Sequence, residues 1–246
     1  MKKIFPERFK GQVIVLTGAA RGIGKATALR AAKEGARLVL TDRLEKEGRE
    51  VLKAVKKEDG EAIFLCLDLS VEENARKMVE EAVKAYGRID IAINNAGVMG
   101  NPDPVHALTK EQMDYTMVNN FYSVFYSCKY ELQQFMKQGT GGAIVNNASI
   151  AGLTGLPGNP AYVASKHAVN GLTKNLALDY ARFDIRINSV NPAGTDTPMV
   201  KEAYEFVIQK QKEAQASGAS EQEAQSMAGQ KTESMLKRDA LAEEQA

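Results

Sequence analysis

Tryptophan is absent from the 246 residues, and histidine and cysteine occur only twice each. Neither Cys66 nor Cys128 has a Cys or His neighbour at metal-ligand spacing, so the chain predicts no structural zinc. With one cysteine expected in a buried strand and the other on a helix, it predicts no disulfide either. An excess of one charge is also missing. Lysine plus arginine total 32 against 31 acidic residues, a formal net charge of +1. No global field therefore draws the protein to nucleic acid or to a membrane surface. No apolar run approaches the roughly 18 residues that span a bilayer. The start, MKKIFPERFKG, has two lysines but no apolar segment of signal-peptide length behind them. These absences predict a soluble cytoplasmic protein that works on a small molecule.

What is present is a core. Hydrophobic residues make up 44% of the chain, enough for one α/β domain over residues 1–246. Short apolar runs alternate with stretches of helical periodicity. Strands are predicted at Gln12–Thr17, Arg37–Asp42, Ala62–Leu67, Ile89–Asn94, Gly142–Ala148 and Ile185–Val190. Helices are predicted at Gly22–Glu34, Leu44–Glu58, Val71–Tyr86, Lys110–Lys137 with a break, and Ala161–Arg182. This order predicts a doubly wound parallel sheet with helices on both faces. Right-handed crossovers then align the carboxyl ends of the strands along one edge, where ligands bind in such sheets.

Two constellations fall at that edge. Thr17-Gly18-Ala19-Ala20-Arg21-Gly22-Ile23-Gly24 joins the first strand to the first helix. Gly18 permits a tight turn, Gly22 lets backbone approach a pyrophosphate, and Gly24 allows close helix-on-strand packing. The helix N-terminus then offers free N–H groups to phosphate. The second strand ends in Asp42, whose carboxylate can accept both ribose hydroxyls of an adenosine. Farther along, Tyr162 and Lys166 stand one helical turn apart, with Ser149 thirteen positions upstream. A phenol titrates near pH ~10, and an ammonium on the same helix face favours its phenolate. The trio reads as a proton-transfer device. His167 points to another face of that helix, where packing is expected, and His106 lies in a loop; neither joins the set.

With both motifs in place, the chain from about Phe9 to Met199 resembles the short-chain dehydrogenase/reductase family. The likeness rests on TGAARGIG, Asp42, Asp68 in LCLDLS, Asn94-Asn95-Ala96-Gly97, Ser149 in NNASIAG, Tyr162 with Lys166, and the run Asn191 to Pro198. It implies a Rossmann-type fold and hydride transfer between NAD(H) and a secondary alcohol or ketone. Tyr162 is the implied acid/base. Lys166 is implied to stabilise the phenolate and bond the nicotinamide ribose, and Ser149 to bond the substrate oxygen. The family's catalytic asparagine falls on Asn120 rather than the adjacent Asn119 by register from Met113 and from Val124-Phe125, and is implied to support a water relay. Cofactor contacts are implied at Gly18, Arg21, Gly22, Ile23, Gly24, Asp42, Asp68, Leu69, Asn95, Ala96, Gly97, Tyr162, Lys166, Pro192, Thr195 and Thr197. Asp68 can meet the adenine; alternatively it belongs to a helix start in which Ser70 and Glu73 form a capping box. Thr195 replaces an apolar residue usual in the family, and Ala193 a glycine.

Asp42 would repel a 2′-phosphate and points to NAD, whereas Arg21 and Arg43 could pair with that phosphate in an NADPH-dependent carbonyl reductase. The stretch after Met199, about 200–236, is expected to form a mobile helical substrate lid. The last residues, Arg238–Ala246, resemble the start of a further helix that is not completed, so a six-stranded sheet without the family's seventh strand is expected. This would open the edge of the sixth strand and weaken the homo-oligomer, a tetramer or dimer, otherwise expected. A catalytically silent, cofactor-binding or partner-binding relative is the other functional class that this ending leaves open. The substrate is not legible beyond a secondary alcohol or ketone.

Overall fold

Runs of β-branched and aliphatic residues with both faces covered build the centre of the molecule. In the computed structural model, which describes residues 4–216 and 240–241, β1 (Val13–Thr17) is buried along its whole length. It pairs with β2 (Arg37–Asp42) on one side and β4 (Ile91–Asn94) on the other. β3 (Glu61–Cys66), β5 (Gly142–Asn147) and β6 (Ile185–Val190) complete a parallel sheet in the order β3-β2-β1-β4-β5-β6. The chain steps outward from β1 to β3 and then returns to lay β4 against β1. Between those two strands the winding direction reverses, which opens a crevice above their carboxyl ends.

Because successive side chains of a strand point to opposite faces, β1 feeds two cores. Ile14 and Leu16 pack with Leu38, Leu40, Val51 and Val55 beneath α1 (Gly22–Lys33) and α2 (Glu45–Lys57). Val13 and Val15 pack on the other face with Met78, Ile89, Val124, Phe135 and Ile144. That face is covered by α3 (Glu72–Tyr86), α5 (Ser123–Gln138) and α6 (Pro160–Tyr180).

α4 (Lys110–Met117) starts with a capping box between Thr109 and Gln112. The break expected within Lys110–Lys137 is one π-helical stretch, Val118–Tyr122, that carries α4 straight into α5. It contains Asn119 and Asn120, and such bulges often mark functional positions.

Three local expectations are corrected. Cys66 is exposed, not buried, because it ends β3, the outermost strand. Ser70 and Glu73 form no capping box: α3 begins one residue later, with Val71 at the N-cap and no side-chain cap, and Glu73 pairs with Arg76 instead. Asp68 Oδ1 accepts the Ser70 N–H and shapes the turn before the helix. His167 is exposed rather than packed, with Nδ1 against the Val163 carbonyl.

After β6 the chain forms β7 (Thr195–Asp196) and then α7 (Pro198–Ala216). A short β8 (Ala240–Leu241) pairs in parallel with β7. The first part of the expected lid is therefore helix α7; residues 217–236 lie outside the described residues.

The contact between α1 and β1 tolerates no extra atom. A Cβ on Gly24 would lie 2.0 Å from the Gly18 carbonyl oxygen, and a backbone oxygen cannot swing aside. Gly24→Ala is expected to lower the unfolding free energy by about 1–3 kcal/mol, measured by urea denaturation.

Candidate active site

The glycine turn is held from below by β4. Thr17 Oγ1 accepts the N–H groups of Asn95 and Ala96 at 2.9 and 3.0 Å. The Asn95 amide donates to the carbonyls of Thr17 and Gly18 at 3.2 and 3.0 Å. This closeness needs glycine at position 18, where φ is +63° and a Cβ would fall 2.8 Å from Ala96 Cα. Arg21, at the N-cap of α1, is extended and supplies no side-chain cap, so the first-turn N–H groups remain available to an anion. Asp42 stands beside the turn. Its Oδ2 accepts the Ala20 N–H at 2.9 Å and its Oδ1 the Leu44 N–H at 3.0 Å, fixing the carboxylate while leaving lone pairs for further donors.

α6 begins at Pro160, in the first turn where the missing N–H costs nothing. Tyr162, Ser149 and Lys166 are all buried. The Lys166 ammonium donates to the Asn147 carbonyl at 2.8 Å and lies 5.7 Å from the centre of the Tyr162 ring. Ser149 Oγ accepts the Ala151 N–H at 3.1 Å and hydrogen-bonds the Tyr162 phenol. Asn120 is fully buried. Its Oδ1 accepts the Val98 N–H at 2.7 Å, while its amide donates to the Val98 carbonyl at 2.9 Å and to Ser165 Oγ at 3.0 Å. It clamps the strip after Gly97.

The electrostatics correct one expectation. Burial pushes the Tyr162 phenol above its ordinary value, and only the Ser149 hydrogen bond opposes the rise. Burial also brings Lys166 down to about 8. Its hydrogen bond to Asn147 is to a neutral carbonyl rather than an anion, so the loss of water around the ammonium dominates. Proximity of the amine alone does not make the phenol acidic.

These groups share one cavity of about 360 Å³. Gly18, Arg21, Gly22, Ile23, Asp42, Asp68, Leu69, Asn95, Ala96, Gly97, Pro192, Thr195 and Thr197 line it together with Ser149, Tyr162 and Lys166. Of the residues singled out from the sequence, Gly24 and Asn120 stand behind the wall. The end beyond Tyr162 is bordered by Met99, Pro102, Ile150, Leu156, Met199 and Val207, with Asn159 and Tyr204 as polar members. α7 lines the cavity through Met199, Val200, Ala203, Tyr204 and Val207 and is held by ion pairs of Glu202 with Arg21 of the glycine turn at 2.7 Å and of Lys210 with Asp103. Arg43 is hydrogen-bonded to Tyr115. His106 is not among the lining residues.

Sequence reasoning missed Asn147, whose carbonyl holds Lys166 and whose amide donates to Asn95 Oδ1 at 2.7 Å. Its place two residues before Ser149 was the available signal, but a backbone carbonyl's direction is not written in a motif. Asn119 lines the cavity although Asn120 does not.

The sequence model of the family described as short chain dehydrogenase matches residues 12–207. The chain belongs to the short-chain dehydrogenase family. It is 40% identical over 241 residues to a 3β-hydroxysteroid dehydrogenase of Mediterraneibacter gnavus, covering 97% of this chain and 87% of that protein. The crystal structure of levodione reductase superposes with a TM-score of 0.84 at 33% identity, covering 96% of this chain and 88% of that one. That of carveol dehydrogenase from Mycobacterium avium in complex with NAD gives 0.79 at 28% identity, covering 82% and 77%. This short-chain dehydrogenase is accordingly an oxidoreductase of alcohols and ketones. Among its described residues no helix is long and apolar enough to cross a membrane.

Lys166 makes the stability of the protein depend on pH. Its folded value of about 8 lies below the ~10.4 of an unfolded lysine, so between the two the unfolded chain holds a proton that the folded protein does not. Stability therefore rises as pH climbs through that window, by on the order of 3 kcal/mol. Urea denaturation should show the rise in wild type and its loss in Lys166→Met.

Proposed function

We propose that this dehydrogenase moves a hydride between NAD(H) and a secondary alcohol or ketone on an apolar ring, with Tyr162 taking and returning the hydroxyl proton. The observation that carries the reading is that the glycine turn, Asp42 and the trio Ser149, Tyr162 and Lys166 line one cavity.

The chain's own groups suit a dinucleotide. The turn at Gly18 and Gly22, both with positive φ, and the uncapped start of α1 would hold the pyrophosphate. Asp42 would accept the adenosine ribose hydroxyls, and Asp68 with Leu69 would border the adenine. Thr195, Thr197 and Pro192 would border the nicotinamide. Once bound, NAD supplies the hydride acceptor at its nicotinamide ring.

Tyr162 would receive the substrate proton. Its upward-shifted phenol needs positive charge beyond that of Lys166 to work near neutral pH, and an oxidised nicotinamide would supply it. Ser149 would hydrogen-bond the substrate oxygen as charge develops there. Asn120 would position the strip after Gly97 through its side-chain bonds to Val98 and Ser165 and in that way support the water relay expected of it. α7 would exclude water over the ring-binding end.

NAD is favoured over NADP on three grounds. Asp42 repels a 2′-phosphate, Arg21 is engaged in an ion pair with Glu202, and the charge of Arg43 is met in part by Asp42 and Asp68. The ring preference rests on the Met99, Leu156, Met199 and Val207 wall. It is in keeping with relatives named for a hydroxysteroid, levodione and carveol. Apolar side chains left bare, Leu178 of α6 at 82% exposure above all, support a homo-oligomer, which light scattering would detect as a mass above 26.8 kDa.

The test is turnover of cyclohexanol followed by the absorbance of reduced nicotinamide. Wild type should prefer NAD over NADP by at least about tenfold in kcat/KM, a difference of ~1.4 kcal/mol. Tyr162→Phe should lose roughly 10²–10⁴ in kcat while still binding NAD. Undiminished turnover by Tyr162→Phe would overturn the assignment of the proton-transfer group.

A further inference from the structure

Behind the site, on the core side of β4 and β5, lies a polar cluster that the cofactor and the proton-transfer groups do not touch. Asn94 ends β4 and stands opposite Asn146 of β5. Cys128 and Glu131 reach the pair from α5, and Thr173 from α6. All five are 4% exposed or less, and Glu131 is wholly buried. The Asn94 amide donates to Glu131 Oε2 at 3.0 Å and to Asn146 Oδ1 at 3.1 Å. The Asn146 amide donates to Thr173 Oγ1 at 2.9 Å, and that hydroxyl to the Val169 carbonyl at 2.7 Å.

Glu131 is the odd member. Its second oxygen, Oε1, is buried with no partner, as is Asn94 Oδ1. The groups that face it are uncharged: Asn94 from β4, Asn146 from β5, Thr173 from α6 and the Cys128 thiol of its own helix. α3, packed against α5, buries Ala75, Met78, Val79 and Ala82, while its Glu72 is engaged at the exposed rim by Lys129 and Tyr130. An ionised Glu131 would thus be an anion with one hydrogen bond and no counter-charge.

We propose that Glu131 is a positioning residue that works as a neutral carboxylic acid, holding the ends of β4 and β5 so that Asn95 and Asn147 face the cofactor cavity. The connection is one residue long on each strand. Asn95, next to Asn94, grips the glycine turn through the Thr17 and Gly18 carbonyls. Asn147, next to Asn146, holds both Asn95 and Lys166. Charge on Glu131 would draw water or a shifted Asn94 amide into the cluster and displace both.

Burial raises the Glu131 pKa to about 7, against ~4.3 for an unfolded glutamate. The folded protein holds the extra proton between those values, so this group's contribution to stability falls as pH rises from ~4.3 to about 7 and is constant above. Ionisation of the folded protein, and any loosening of the site, follows above pH 7.

Glu131→Gln keeps the shape and the neutral charge; Glu131→Ala leaves the Asn94 donor without its acceptor. NAD affinity by titration calorimetry and thermal unfolding would be measured for wild type and both variants from pH 4.5 to 8.5. The functional half of the inference rests on NAD binding at this site. At pH 6 Glu131→Gln should match wild type and Glu131→Ala should bind more weakly. Above pH 7 wild-type affinity should fall, by at most about tenfold per pH unit, while that of Glu131→Gln should lack this fall; titration of Lys166 is common to both and cancels. The unfolding midpoint of wild type relative to Glu131→Gln should decline between pH 4.5 and 7. A Glu131→Gln protein as impaired as Glu131→Ala at pH 6, or pH profiles shared by wild type and Glu131→Gln, would overturn the proposal. If no form bound NAD at any pH, the cofactor reading would fail, and the unfolding comparison would still decide the charge state of Glu131.

Discussion

The hydrogen bonds that lace the carboxyl ends of β1, β4 and β5 are the constraint on which the site depends. Thr17, Asn95 and Asn147 form a continuous line, from the glycine turn at one end to the Lys166 ammonium at the other. A shift of any strand end would move the phosphate-binding turn relative to the proton-transfer groups. Hydride transfer needs two carbons held in contact, and small misplacements there cost rate steeply. The fold answers this need with short polar side chains at strand ends: Thr17 and Asn95 bond backbone across the gap, and the Asn147 amide bonds Asn95 Oδ1.

Burial has opposite effects on the two titrating partners. It discourages charge on both, so the phenol rises and the ammonium falls, and the pair is poised to change protonation when a charged ligand enters. A surface Tyr–Lys pair at the same spacing would keep ordinary values and bring no such tension. The same physics acts on Glu131, one layer deeper, where a carboxyl takes the place an amide could occupy. Buried titratable groups therefore sit both at the site and behind it, and Lys166 and Glu131 are each held by an asparagine at a strand end.

Much of the architecture was legible in the chain. The strand Arg37–Asp42 falls where its apolar run lies, because a strand buried on both faces carries near-continuous aliphatic sequence, and Ile185–Val190, at the edge of the sheet, is read instead from the alternation of buried Ile185 and Ile187 with exposed Arg186 and Asn188. The glycine turn was readable because positive φ and close backbone approach leave few alternatives to glycine. Less was legible where partners come from distant segments. Exposure of Cys66 depends on β3 being an outer strand, and sheet order is not a local property. The Ser70–Glu73 pair has the spacing of a cap, yet the helix entered one residue later. Asn120 was found by register, but that its side chain serves Val98 rather than solvent follows from a contact across 22 residues.

The sequence by itself determined the strand–turn–helix units, the residues able to bind a dinucleotide and the phenol–ammonium–hydroxyl set, since these follow from local periodicity and the chemistry of single side chains. Only the tertiary structure decided that they share one cavity, that Asn147 rather than any charged group receives Lys166, that Arg21 is already paired with Glu202, and that Glu131 is sealed without a counter-charge. Burial and partnership are properties of packed neighbours, and the neighbours that matter lie far apart along the chain.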